Sequence, residues 1–142
     1  MQISFTVLGK PRGKGRPRFS TANERVTTRT PHETVVYENL IRMECRRQCG
    51  GMRFADDTEL EMTVIAYYAI PKSASKHKKT AMEKGEIRPT KTPDLDNVVK
   101  IVGDSLNQIA YRDDSQITEV HAYKYYSSEP RLEITIRTIC GP

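Results

Sequence analysis

The chain of 142 residues suits one domain with a buried core and is too short for a catalytic domain plus a separate binding domain, so any site and any binding surface share one fold. Lysine and arginine outnumber aspartate and glutamate by 23 to 18, a formal charge of +5 that favours phosphate-rich partners over acidic proteins. No apolar run approaches the roughly 20 residues a membrane span needs, and Met1 to Val7 lacks the basic start of a signal peptide, so a soluble, cytoplasmic protein with no membrane partner is expected. Cys45, Cys49 and Cys140 form neither an even disulfide framework nor a Cys-x-x-Cys zinc pair, and read as free thiols.

Ile3, Phe5 and Val7 alternate with Gln2, Ser4 and Thr6, the period of a half-buried strand. The next segment, residues 10–18, holds five cations, two prolines and two glycines and reads as a loop or arm. Thr30-Pro31-His32-Glu33 has the form of a capping box, and Val36, Leu40 and Met43 continue at helical spacing, which predicts a helix over about 31–48 that ends at Gly50-Gly51. Leu60, Met62, Val64, Ala66, Tyr68 and Ile70 occupy every second position and predict a long strand with one buried side. Residues 72–91 carry seven lysines or arginines against Glu83 and Glu86 and read as a charged crossover with a short helix around 74–83. Leu95, Val99, Val102, Leu106 and Ile109 recur at helical steps and predict an amphipathic helix over 94–109. The tyrosines and β-branched residues of 116–126 favour a strand, and Leu132, Ile134 and Ile136 alternate in another. Ser127 to Pro130 lies between these two as a turn, so they are expected to pair as a hairpin. The sum is a single small α+β domain over residues 1–142, with a mainly antiparallel sheet and two principal helices.

The chemistry concentrates in Lys91-Thr-Pro-Asp-Leu-Asp-Asn-Val-Val-Lys100, followed by Asp104 and the pair Asp113-Asp114. Acids at a helix start also complement the helix dipole, and Asp96, Lys100 and Asp104 at i,i+4 spacing also form a solvated ion-pair stripe. The combination asks for more, because adjacent carboxylates repel by about 4 kcal/mol at 4 Å and an effective dielectric of 20, a repulsion that a divalent cation relieves. Oxygen-only ligands suit Mg²⁺ or Mn²⁺, with Asp94, Asp96 and Asp114 as the ligands and Lys100 stabilising the charged transition state. A metal so held activates water and polarises a phosphate. The helix carries the chain about 16 Å from Asp96, and residues 108–113 are just long enough to bring Asp114 back, failing which a partner subunit supplies it.

Lys-x-Pro-Asp-Leu-Asp-Asn-Val-x-Lys at 91–100, then Asp104-Ser-Leu-Asn107, then Tyr111-Arg-Asp-Asp-Ser-Gln-Ile117 resembles the RusA family of Holliday junction resolvases. The run ending at Phe19, Gly-Lys-Gly-Arg-Pro-Arg-Phe, is similar to the N-terminal segment of longer members. The resemblance implies a small α+β homodimeric endonuclease that uses Mg²⁺ or Mn²⁺ to nick opposing strands of a four-way DNA junction symmetrically. It implies Asp94, Asp96 and Asp114 as metal ligands and Lys100 as the catalytic lysine, with Asp113 and Asp104 at acidic positions of the family pattern. Gln108 departs from the glycine often found after the Leu-Asn pair, and Ser105 replaces a common alanine.

DNA is expected along the two basic segments, first at Arg12, Lys14, Arg16 and Arg18, whose prolines stiffen the arm, and second at Lys76, Lys78 and Lys79. Two other readings stay open. A different metal-dependent nuclease or nucleotide hydrolase would use the same carboxylates, although no Walker loop or dinucleotide glycine motif supports a nucleotide cofactor. A non-catalytic, structure-selective DNA-binding protein would bind without cutting.

Overall fold

The alternation of apolar residues in three segments builds one four-stranded sheet. In the computed structural model, which describes residues 1–15, 18–20, 27–29 and 31–139, its strands are β1 (Gln2–Leu8), β4 (Leu60–Ala69), β5 (Ile117–Ser127) and β6 (Arg131–Thr138). Two short strands, β2 (Arg18–Ser20) and β3 (Thr27–Arg29), pair separately, and the helices are α1 (His32–Cys49), α2 (Lys76–Glu83) and α3 (Leu95–Ser105). The sheet order is β1-β6-β4-β5, with β6 antiparallel to both β1 and β4, and β5 parallel to β4. The α+β class with a sheet of mainly antiparallel pairs is therefore observed. Thr30, Arg16 and Cys140 lie outside the described residues, and with Thr30 goes the predicted cap; Pro31 is the N-cap residue of α1.

The expected hairpin does not form. β4 lies between β5 and β6, so residues 128–130 carry the chain past it, across two strand spacings or about 10 Å. A parallel neighbour cannot be reached by a tight turn, and α2 and α3 fill the crossover from β4 to β5. The pattern strand, long basic connection, helix, strand is thus a crossover unit.

One face of the sheet is apolar and is covered by α1 and α3. Ile3, Phe5, Val7, Met62, Val64, Leu132, Ile134 and Ile136 meet Tyr37, Ile41, Val98, Ile101, Val102 and Leu106 in one core. Each such side chain contributes about 1.5–3 kcal/mol by leaving water. The other face is polar; its cross-strand contacts include Ser4 to Thr135 at 3.0 Å.

Of the three apolar residues expected to face inward on α1, Leu40 packs partly buried against the core and the other two do not. Val36 and Met43 are more than half exposed, and the buried stripe is Thr34, Tyr37, Glu38, Ile41 and Cys45. The helix is rotated because two polar members of that stripe are partnered by the N-terminal arm. Thr34 Oγ1 accepts from Gly15 N at 3.1 Å, and Glu38 accepts from Lys14 Nζ at 3.0 Å. A partnered polar residue can be buried at little cost.

The second principal helix ends four residues before the predicted 109. After Leu106 the chain turns through Gln108, whose φ is +64°, and Asn107 bridges to Tyr111. That backbone explains why glycine suits the position, since an L side chain there costs about 1–2 kcal/mol. Gln108 offsets the strain with its amide, donating to Arg112 O at 2.7 Å and accepting from Arg53 at 3.3 Å. Gln108→Ala, which keeps the strain and loses both bonds, should be less stable than Gln108→Gly by about 1 kcal/mol in urea denaturation.

Candidate active site

α3 begins where Pro93 ends an extended approach and Asp94 takes the N-cap position. Its buried residues Val98, Ile101, Val102 and Ser105 fix which way it faces. That leaves Asp96, Val99, Lys100 and Gly103, at i, i+3, i+4 and i+7, along one side. These four, with Asp114, Met62, Ile117 and Val120, enclose a cavity of about 250 Å³. Its sheet side is apolar and its helix side is charged.

Asp114 reaches the cavity within the same chain. Tyr111 is fully buried and its hydroxyl donates to Gly103 O at 2.7 Å, taking up a carbonyl of the last helical turn. Asn107 Oδ1 accepts from Asp114 N at 2.8 Å. Asp113 caps the following 3-10 turn, Asp114–Gln116, by accepting from Ser115 N at 3.0 Å, and Gln116 ties that turn to Ala55 O and Thr58 O. Gly103 lies beside Asp114: a Cβ there would stand 3.6 Å from Asp114 Oδ2, at ordinary van der Waals contact. Asp114 thus returns beside Gly103, two turns along the helix from Asp96, a separation of about 10 Å on the axis.

The acids divide by what engages them. Asp113 holds its cap, and Ser115, by its side chain first and its backbone N–H second, keeps that carboxyl below the usual aspartate range. Asp104 Oδ1 takes Lys100 Nζ and its Oδ2 takes Lys14 Nζ, both at 3.3 Å. Asp94, Asp96 and Asp114 make no side-chain hydrogen bond or ion pair among the described residues, and the Asp94 carboxylate does not even cap its own helix. Unpartnered carboxylates on a concave surface are the kind of oxygen ligand that hard cations take, but Asp94, Asp96 and Asp114 are not gathered as a trio: among the described residues the three-residue group whose ligand atoms lie together is a different one. Asp96 and Asp114 line the cavity with Lys100; Asp94 is not part of that lining and lies close enough to Tyr68 for its charge to be felt there. Burial first, and then the Asp94 charge, push the Tyr68 phenol up to about 12, and its hydroxyl donates to Pro93 O. Burial and then Asp114, Asp104 and Asp113 likewise raise the Tyr111 phenol.

The cations divide as well. Lys76 and Lys78 on α2 are exposed and Lys79 is half-buried. Arg12 is exposed, 3.9 Å from Glu33. Arg18 stands in β2, and Arg16 is outside the described residues. Lys14 turns inward, its side chain 25% exposed, between Glu38 and Asp104. Burial, the largest influence, would lower its ammonium pKa, but Glu38 and then Asp104 outweigh it and raise the value.

Two groups were not anticipated. Glu61, Glu119 and His121 bring their ligand atoms within 4.8 Å of one another on the polar sheet face, opposite the cavity. Glu61 is held by Arg137 at 2.9 and 3.0 Å and Glu119 by His121 at 2.8 Å. The alternation of β4 and β5 carries the signal for this group, since Glu61 and Glu119 are register partners. On the same face Arg131 lies over Tyr67 at 3.9 Å and Arg88 over Tyr125 at 4.2 Å, while the two rings stack at 6.1 Å.

Residues 9–137 match the family described as Endodeoxyribonuclease RusA. The chain is also similar to a Bacillus subtilis (strain 168) protein described as uncharacterized protein YqaN, with 39% identity over 139 residues and 96% of each chain covered. The match runs from the arm through the α3 cavity to β6, and the chain belongs to the RusA endodeoxyribonuclease family.

Proposed function

We propose that the protein is a Mg²⁺-dependent endonuclease that resolves four-way DNA junctions by paired, symmetric nicks, with Mn²⁺ able to substitute. The observation that carries this reading is the cavity on α3, where Asp96 and Asp114 stand without partners beside Lys100. Asp96 and Asp114 would each offer a carboxylate to a site of one or two ions, drawn together on binding, with Asp94 at the N-cap of the same helix as a further candidate ligand. A bound divalent cation supplies an activated water and charge stabilisation at the scissile phosphate. Lys100, 61% exposed, can reach a phosphate oxygen in the cavity and balance the charge that develops on it. Arg12, Arg16, Arg18, Lys76, Lys78 and Lys79 form the DNA-contacting set, engaging backbone phosphates without reading sequence. A junction presents two equivalent strands, so a two-fold homodimer is the assembly that cuts both.

The test is a synthetic four-way junction and a linear duplex of matched sequence, each end-labelled and incubated with Mg²⁺ or EDTA. Paired nicks at symmetric positions in the junction alone, abolished by EDTA, are expected. Binding without cutting would replace this reading with a non-catalytic DNA-binding protein, and equal cutting of duplex with a less selective nuclease.

A further inference from the structure

The cation that sequence places with the DNA contacts, Lys14, is the one that the fold turns away from solvent. Its Nζ stands 3.0 Å from Glu38 Oε2 and 3.3 Å from Asp104 Oδ2, while the other oxygen of Asp104 takes Lys100 at 3.3 Å. The result is a line of alternating charge, Glu38, Lys14, Asp104, Lys100, running from α1 through the arm to the cavity. The arm's backbone is fixed at the same place. Lys14 N donates to Asn97 O at 2.9 Å, and Gly13 approaches so closely that a Cβ would fall 2.8 Å from that of Asn97.

We propose that Lys14 is a positioning residue for Lys100, acting through Asp104, and not a DNA contact. The assignment rests on the reading of the α3 cavity as a nuclease site. Asp104 has two ammonium partners, one on each oxygen, so its charge is shared and its hold on Lys100 is divided. Remove Lys14, and Glu38 and Asp104 lose the cation between them, leaving Lys100 as the one counter-ion of Asp104 among the described residues. Lys100 is then drawn toward Asp104 and away from the cavity's phosphate position. A partly buried pair is screened less than the exposed cations of α2, so the effect persists at physiological salt.

Junction cleavage under single-turnover conditions, junction affinity against salt, and unfolding by urea are measured for wild type, Lys14→Met, Lys100→Met and both doubles, Lys14→Met/Lys100→Met and Lys14→Met/Asp104→Asn. For Lys14→Met, the rate on saturating junction should fall by about tenfold or more, as for a displaced catalytic group. Its affinity and salt slope should match wild type. Asp104→Asn should restore most of that rate by releasing Lys100, a rescue that a purely structural clamp would not give. In the Lys100→Met background the loss of Lys14 should have little further effect on rate.

A salt slope reduced by about 0.9 with an unchanged rate on bound DNA would make Lys14 a phosphate contact and overturn the assignment. So would a lost rate that Asp104→Asn leaves lost. A wild-type protein that cuts no junction would overturn the nuclease reading itself, and this assignment with it. If Lys14→Met does not fold, Lys14→Gln, which keeps a donor toward Glu38, takes its place in the same comparisons.

Discussion

Replacing Asp96 or Asp114 with asparagine should lower junction cleavage by about 10²–10³ or more, the loss typical when a group that stabilises a charged transition state is removed. Asparagine keeps the shape of the side chain and removes the charge that a cation needs. Because neither carboxylate makes a hydrogen bond or ion pair among the described residues, the substitution breaks nothing in the fold. Stability should stay within about 0.5 kcal/mol of wild type. Binding should hold or tighten, since a negative charge facing phosphate has gone. Asp113→Asn gives the contrast. Its carboxylate caps the 3-10 turn, so the first loss should be in stability, with activity following only as the turn loosens. A cleavage assay, a gel shift and a urea titration on the three variants separate these outcomes, and an Asp96→Asn protein that cuts at the wild-type rate would remove the α3 cavity from the chemistry.

Much of this arrangement is legible in the sequence, and the parts that are not have definite physical causes. The strand β4 is read directly because a period of two with one side buried admits no other structure. Its pairing is not. Ser127 to Pro130 has turn composition, and composition does not reveal whether the chain turns back on its neighbour or passes over it. The outcome depends on β4 being the most apolar strand and taking the centre between β5 and β6. The face of α1 fails for a related reason. Val36, Leu40 and Met43 have the right spacing, and Leu40 does pack against the core, but the helix buries Thr34 and Glu38 in place of Val36 and Met43, because residues about twenty positions earlier satisfy them. Long-range partners of that kind leave no trace in local periodicity.

The site shows the same division. The side of α3 that carries Asp96, Lys100 and Gly103 follows from helical spacing alone, and the return of Asp114 follows from loop length. That Asp114 arrives two turns along the helix, beside Gly103, is set by Tyr111 and Asn107, which stand in the family pattern but whose positioning role the sequence does not reveal. The separation of free from engaged carboxylates is also invisible there, since Asp113 and Asp114 are adjacent and chemically identical. Only the backbone N–H that Asp113 accepts tells them apart. Lys14 is the counterpart among cations: five basic residues in a row of nine read alike, and among those described Lys14 folds inward.

Tyr111→Phe should cost about 1–2 kcal/mol of stability, because it leaves the carbonyl of Gly103 without its buried donor. Tyr111→Ala should cost about 3–5 kcal/mol, adding a cavity in the core to that loss. The larger consequence is catalytic. The phenol pins the loop that delivers Asp114, and a shift of about 1 Å at a reacting group can cost about a hundredfold in rate. Tyr111→Phe should therefore cut far more slowly than its modest destabilisation implies, while binding junctions normally. The pH dependence has a defined sign. Burial and the nearby aspartates raise the phenol above the ordinary tyrosine value, so the neutral form is favoured in the folded protein. The hydrogen bond's contribution is complete below about pH 10, the unfolded tyrosine value, and is lost as pH rises toward the higher folded one. Urea midpoints of wild type and Tyr111→Phe should therefore converge in alkali, and a constant difference between them would show that the hydroxyl is not what holds the loop.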